Sequence, residues 1–269
     1  MPRKRLPLLL AALVSAVIPA FASADGDATI EAAVETLREE PKAYVRVVQS
    51  SVLGTRSSEE SAFGFWNMDT EAGEERLRFE FREFRGETPT RRLVGDGAFL
   101  WVYNLEQKTY AVTRYRVTKA QGNTQILDRE ATRIALFQAL SVAGSGPSAP
   151  IVRLLREAHQ DLSGVTYRTW MPGVQGEESG NGNNVSVVYK VGDPERRRME
   201  FSIAGMEPRI ESIRFWSERS FGPRIRTLTW ELAQLDAETV PEDFNMEPFQ
   251  GEDLRGWRPI LLPRPVRES

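Results

Sequence analysis

Polar and apolar residues alternate along much of this chain, and elsewhere the apolar ones recur at helical spacing. The cleanest alternation runs from 75 to 82. Leu77, Phe79 and Phe81 take one side; Arg76, Arg78, Glu80 and Arg82 take the other. A period of two predicts a half-buried antiparallel strand. Val-, Tyr- and Phe-rich runs at 43–53, 62–68, 91–94, 98–103 and 109–117 predict further strands, and Asp96-Gly97 between two of them predicts a hairpin. The pattern returns at 165–171, 185–191, 198–203, 209–217 and 224–235. Helical spacing appears three times. Ile30, Val34 and Leu37 mark a helix over 29–40, stopped by Pro41. Ile126, Glu130, Ile134, Phe137 and Leu140 mark one over 124–140, and 151–162 reads as a third.

The connections are short, except for a Gly- and Asn-rich stretch at 172–184 that predicts a mobile loop, and 236–256 reads as irregular. About ten strands with short links favour a single antiparallel sheet, meander-like, which must twist and curl. The expected fold is mainly β, of α+β type. It is an open half-barrel made of one curled antiparallel sheet, with helices covering the concave face. No internal repeat or long linker divides it, so 25–269 is expected to form one domain.

The first 24 residues read as an address. Arg3-Lys4-Arg5 is a basic start, 6–21 is apolar apart from Ser15 and two prolines, and Ala22-Ser23-Ala24 supplies a small-residue cleavage site. This is the three-part pattern of a secretory signal, and the apolar run is short for a bilayer span of about 20 residues. Cleavage after Ala24 would leave a periplasmic chain with no later segment apolar enough to span a membrane. The whole chain of 269 residues carries 35 basic and 38 acidic groups, and the part after Ala24 has a formal charge of −6. That balance argues against nucleic acid as a partner.

With no Cys and one His, there is no disulfide framework, no thiolate chemistry and no multi-His metal site. Hydrolase, nucleotide-loop and zinc-protease motifs are absent. His159 reads as a surface or packing residue. The adjacent acid pairs read as solvated turn residues, and Arg196-Arg197-Arg198 as a solvated hairpin or a contact for anionic headgroups. No catalytic residue, metal site or cofactor is therefore expected, and the protein is not expected to be an enzyme. The aromatic residues carry more information. Phe63 and Phe65, Phe79 and Phe81, and Trp101 and Tyr103 each share a strand face, and Trp230 lies on a late strand. With Leu77 they are the candidate lining of an apolar cavity. A curled sheet with such a face either fills itself or leaves a hollow, and spacing alone leaves both open.

The run Leu93-Val94-Gly95-Asp96-Gly97-Ala98-Phe99-Leu100-Trp101-Val102-Tyr103-Asn104 resembles the Asp-Gly-x-x-Leu-Trp-x-Tyr signature of the periplasmic lipoprotein carriers, the LolA and LolB-like family. Leu77-Arg78-Phe79 is similar to the family's Phe-Arg-Trp strand. Val240-Pro241-Glu242-Asp243-Phe244, followed by Pro248-Phe249-Gln250-Gly251, resembles its closing segment. The resemblance implies an open β-barrel with a helical lid over an apolar cavity. It implies an acylated lipoprotein or lipid as cargo, an inner-membrane donor and an outer-membrane acceptor. It also implies that Arg78 ties down the lid; the alternation equally allows Arg78 to point to solvent beside Glu80. A monomeric carrier is expected, with an envelope sensor of the same fold as the rival reading.

Overall fold

The computed structural model describes residues 26–71, 74–143, 146–159, 177–180, 184–191, 196–204, 208–221 and 224–261. The expected signal segment and the expected strand at 165–171 lie outside the described residues. Helix α1 (Gly26–Glu39) comes first, followed by β1 (Lys42–Leu53), β2 (Arg56–Glu71), β3 (Glu74–Arg85), β4 (Thr88–Gly95), β5 (Phe99–Asn104) and β6 (Thr109–Arg114). A small separate hairpin, β7 (Thr118–Gln121) and β8 (Thr124–Leu127), leads into α2 (Arg129–Ala143) and α3 (Ala149–His159). Then come β9 (Glu177–Gly180), β10 (Asn184–Val191), β11 (Arg196–Ala204), β12 (Arg209–Phe221) and β13 (Arg224–Leu235), and late in the chain a two-residue β14 (Arg258–Pro259).

Among the described residues twelve strands form one curled sheet in the order β14-β6-β5-β4-β3-β2-β1-β13-β12-β11-β10-β9. The edges do not meet, so the barrel is open. The neighbour pairs are antiparallel except β14 with β6, which is parallel. The sheet is two meanders rather than one. Strands β1–β6 run outward in one direction and β13–β9 in the other, and the two meet where β1 pairs β13 from Tyr44↔Leu235 to Leu53↔Arg226.

Three expectations are corrected. The stretch 124–140 is not one helix. Residues 124–127 form β8, turned back on β7 at Gly122-Asn123, and α2 starts at Arg129. Asp128 sets that start: its Oδ1 accepts from Ala131 N at 3.1 Å and its carbonyl accepts from Thr132 N at 2.9 Å, an N-cap. The buried face is Leu136, Phe137 and Leu140, while Ile134, expected on it, is 49% exposed. Finally, the loop expected at 172–184 contains an edge strand, since Glu177–Gly180 pairs with β10.

The inner face of the sheet is filled by helices. Val45, Gly64, Phe81, Leu93 and Val102 stand in one row across five strands; Ala43, Trp66, Phe79, Gly95 and Leu100 stand in the next. The apolar face of α3, Ile151, Leu154, Leu155 and Ala158, lies on this side, and Ile30, Ala33, Val34 and Leu37 of α1 join the same core, with α1 packed on α3 and on β10–β12. Burying each large aliphatic side chain is worth about 1.5–3 kcal/mol. Isolated helices of this length are marginal, so the packing holds them. Gly64 is needed for close approach: a Cβ there would lie 2.6 Å from the Ile151 side chain.

The outer face is covered too, but by chain rather than helix. Residues 236–257 leave β13, cross the outer face of β1–β5, and end in β14 beside β6. Tyr44, Phe65, Phe244 and Met246 form a second buried cluster beneath this strap, with Phe63, Leu235 and Val240 packed at its edge. Among the described residues no helix is long and apolar enough to cross a membrane.

Candidate functional site

Strand alternation divides the eight expected cavity residues between the two faces of the sheet. Leu77, Phe79, Phe81 and Trp230 face inward. Phe63, Phe65, Trp101 and Tyr103 face outward, in register with Arg82, Glu80, Val94 and Arg92 respectively. The outward four line no inner cavity. They belong to the seat of the strap and to the turn that precedes β5.

The strap is held by a buried charge cluster. Glu80 is fully buried; it accepts from Arg92 Nε at 2.8 Å, from an Arg92 terminal nitrogen at 2.9 Å, from Arg82 Nε at 2.6 Å and from Met246 N at 3.0 Å. Arg92 also donates to Glu247 O and to Asn245 Oδ1, and Arg82 donates to the Asp243 side chain and carbonyl. The guanidinium of Arg82 lies 4.0 Å over the Phe244 ring, and that of Arg92 lies 4.7 Å over Phe249. Tyr103 accepts from Phe249 N at 3.0 Å, and burial pushes its phenol up to about 12.

Arg78 joins this side as well. Its guanidinium donates to Met246 O at 3.4 Å, so the arginine expected to tie down a helical lid touches the strap on the opposite face. The alternation that put Arg78 with Glu80 was right; the environment of that face was not solvent. The Asp-Gly motif has an equally local role. Asp96 Oδ1 accepts from Ala98 N and Phe99 N, Asp96 Oδ2 accepts from the Trp101 indole at 3.1 Å, and Gly97 takes φ +94°. The motif residues build the β4–β5 turn and latch Trp101 onto it.

Among the described residues, the inner face has a hollow of about 300 Å³ between α2 and the strand ends. Met68, Leu77, Leu127, Leu136 and Phe137 supply its apolar wall. Arg76, Arg116, Arg129 and Arg133 line it as well, together with Thr132, Tyr115, Gly97 and His159. Of the expected residues only Leu77 lines it. Phe79 and Phe81 are fully buried beside it and stack on each other at 5.0 Å; they are core. Trp230 stacks on Phe215 at 5.4 Å in the other half of the sheet. The α2 residues were legible in principle, since 129, 133, 136 and 137 share one helix face.

Local bonds shape the hollow. Gly97 N donates to the Tyr115 hydroxyl at 2.8 Å, which donates in turn to Leu77 O at 3.4 Å, and burial raises the phenol's pKa so that it stays neutral. Val117 N donates to Thr132 Oγ1, pinning α2 to the sheet edge. Nε2 of His159 is buried with no hydrogen-bond partner; burial, and secondarily Arg38, lower its pKa to about 4, so the ring is uncharged at neutral pH. On the α3 side, Ser148 donates to Glu83, whose pKa is raised by burial.

A larger open groove of about 950 Å³ lies over β1 and β10–β13, beyond the strap; most of its lining faces outward, and the inward-facing pair of Phe215 and Trp230, the latter an expected cavity residue, lines it as well. Its floor is two cross-strand rows, Ser50-Thr229-Trp216-Arg198-Lys190 and Val48-Glu231-Arg214-Glu200. Arg198 pairs with Glu200 and Arg214 with Glu231. Among the described residues no group of three or more His, Asp or Glu could hold a metal ion.

No protein-family model matches the chain, and no curated protein matches it. Solved structures with a similar course include an uncharacterized conserved protein from Thermus thermophilus, at 10% identity over 88% of this chain and 98% of that one, TM-score 0.33. A DUF1329 family protein from Desulfovibrio piger matches at 9% identity over 83% and 97%, TM-score 0.36. A LolA superfamily protein from Nitrosomonas europaea matches at 9% identity over 82% and 97%, TM-score 0.25. Scores this low carry no functional argument.

Proposed function

We propose that the protein is a periplasmic carrier that takes the acyl chain of a lipid or lipoprotein into the hollow beneath α2 and passes it toward the outer membrane. The observation that carries this reading is a largely apolar hollow beneath a helix, beside the buried core of the inner face. Its volume is at the small end of ligand sites, which run from about 300 Å³ upward. Burying about six methylenes would supply about 5 kcal/mol, a few thousand-fold in affinity. No bond is made or broken; the work is sequestration and release. Helix α2 suits release because its contacts run chiefly to β5 and α3, whereas α1 is packed on three strands and α3. A lid held this lightly lets a membrane acceptor compete, because a ligand shifts such an equilibrium only by its differential affinity. The donor would sit in the inner membrane and the acceptor in the outer.

Phe137→Asp puts a charge into the apolar wall. Capture of a fluorescent acylated probe should fall at least tenfold while cooperative melting persists. Undiminished capture by the folded variant would place the acyl chain elsewhere. A second reading, an envelope sensor that binds a protein signal, draws on the outer groove, whose Trp216 floor is flanked by Lys190, Arg196, Arg198 and Arg214. A stable complex with an inner-membrane regulator, without cargo turnover, is its distinguishing result.

A further inference from the structure

The β1–β13 joint brings the end of β1 and the start of β13 to one end of the sheet, and the residues there share a composition. Leu53 pairs with Arg226 on one side and with Arg56 on the other. Arg224, two positions before Arg226, lies on the same face. Val52 and Ile225 stand on the opposite face, since Val52 pairs with Thr227. All six residues are exposed; among them Val52 is 41% and Ile225 51% exposed, so neither the helices nor the strap covers this end. The nearby acids are accounted for. Glu59 and Glu218 lie on the face away from the arginines, and Glu60 meets Arg85 at 3.7 Å. Arg219, opposite Arg226, is already engaged and is not counted on. With every one of these included, 51–59 and 218–228 hold four arginines against two glutamates, in a chain with more acidic than basic groups.

We infer that this end of the sheet docks on a bilayer with anionic head groups, Arg56, Arg224 and Arg226 meeting phosphates while Val52, Leu53 and Ile225 enter the interface. The inference adds to the carrier reading the place where the protein meets a membrane, and its test needs no cargo. Apolar residues on both faces of a projecting end favour a bilayer over a folded protein. A protein surface covers one face, whereas a lipid interface surrounds whatever enters it. Arginine suits the boundary because its stem lies along apolar surface while the guanidinium reaches a phosphate with paired N–H donors. Each basic residue near an anionic membrane surface adds about fivefold to binding, an effect that salt screens. Three arginines and three aliphatic side chains make a reversible contact, which suits a carrier that must leave one membrane for another.

The test is co-flotation of the chain from Asp25 to Ser269 with two kinds of vesicle, pure phosphatidylcholine and phosphatidylcholine with 30% phosphatidylglycerol, at low and high salt. Three variants accompany it. Arg56→Gln/Arg224→Gln/Arg226→Gln removes the charges, and Leu53→Ser/Ile225→Ser removes aliphatic contacts. Lys42→Gln/Lys108→Gln/Arg255→Gln removes three exposed charges elsewhere. The changed positions are all exposed, and a thermal melt checks that each variant folds. The proposal expects binding to the anionic vesicles that weakens with salt and is at least tenfold stronger than to phosphatidylcholine. It expects the tip-arginine variant to lose at least tenfold, the serine variant to lose several-fold, and the control to stay within twofold. A control that loses as much as the tip-arginine variant would reduce the effect to net charge and overturn the inference. So would unchanged binding in either tip variant, or equal binding to both vesicles. No binding to either vesicle would also overturn it and leave this end of the sheet to an acidic protein surface. Capture of an acylated probe in solution should be unaffected by the tip variants, so the docking inference and the carrier reading fail separately.

Discussion

His159 sits in surroundings that its chemistry does not favour. Its ring is largely out of water and Nε2 has no partner, so its pKa is about 4 against an ordinary value near 6.5. The unfolded chain takes up a proton as pH falls through about 6.5, and the native ring resists until about 4. Between those values the unfolded state binds more protons, so stability falls with falling pH across that window. Glu83 works in the opposite sense: its raised pKa gives stability that is complete below the ordinary carboxylate value and lost as pH rises through the native one. Replacing His159 by Phe should therefore flatten the acid loss between pH 6.5 and 4.5, measured by urea unfolding at both. Parallel curves for the two proteins would contradict the buried, uncharged ring. At this scale the sequence could say that the lone imidazole was a poor catalytic candidate. It could not say that the ring borders a hollow, because α3 meets the sheet ends through contacts distant in sequence.

Among elements, the strap does what no local pattern announces. The alternation in β3 was plain, and its polar face was expected in water. Instead Glu80 is buried and receives four hydrogen bonds, two of its donors being arginines that also grip residues 243–247. A period of two tells which residues share a face and nothing about what covers it, so four aromatic residues expected in a cavity lie under or beside the strap. Removing one partner of a buried, multiply bonded ion cluster costs about 3–5 kcal/mol. Glu80→Ala should lower stability by that order and expose 240–261 to proteolysis, whereas Arg85→Ala, at an exposed pair on the same strand, should cost under about 1 kcal/mol. Equal losses, or a strap as resistant to protease as before, would refute the clasp. Helix α2 teaches a related lesson. A two-residue turn at Gly122-Asn123 and a capping Asp128 move its start by five residues, and the helix that remains buries Leu136, Phe137 and Leu140 and leaves Ile134 exposed.

For the whole molecule, the sheet was legible as a set of neighbours and not as an assembly. Short turns fix each local pair. The β1–β13 joint brings together segments about 180 residues apart, which no hairpin rule reaches. That joint makes one curled sheet of two meanders and leaves each face with its own covering: helices inside, strap outside. The question left open by the aromatic pattern, filled or hollow, has a divided answer. The centre of the inner face is packed by α1 and α3, and the hollow is at the end covered by α2, where the sheet-side wall comes from Met68 and Leu77 and the lid side from Leu136 and Phe137.

Everything claimed for function depends on whether that hollow takes an acyl chain. Native mass spectrometry of the chain from Asp25 to Ser269, purified from a periplasmic fraction, asks this directly. The carrier reading predicts a population with added mass that is lost on organic extraction and identified as an acylated species. A bare mass that stays bare after incubation with lipids and acylated peptides would contradict it, and would leave the protein as a folded scaffold whose outer groove is the surface to pursue.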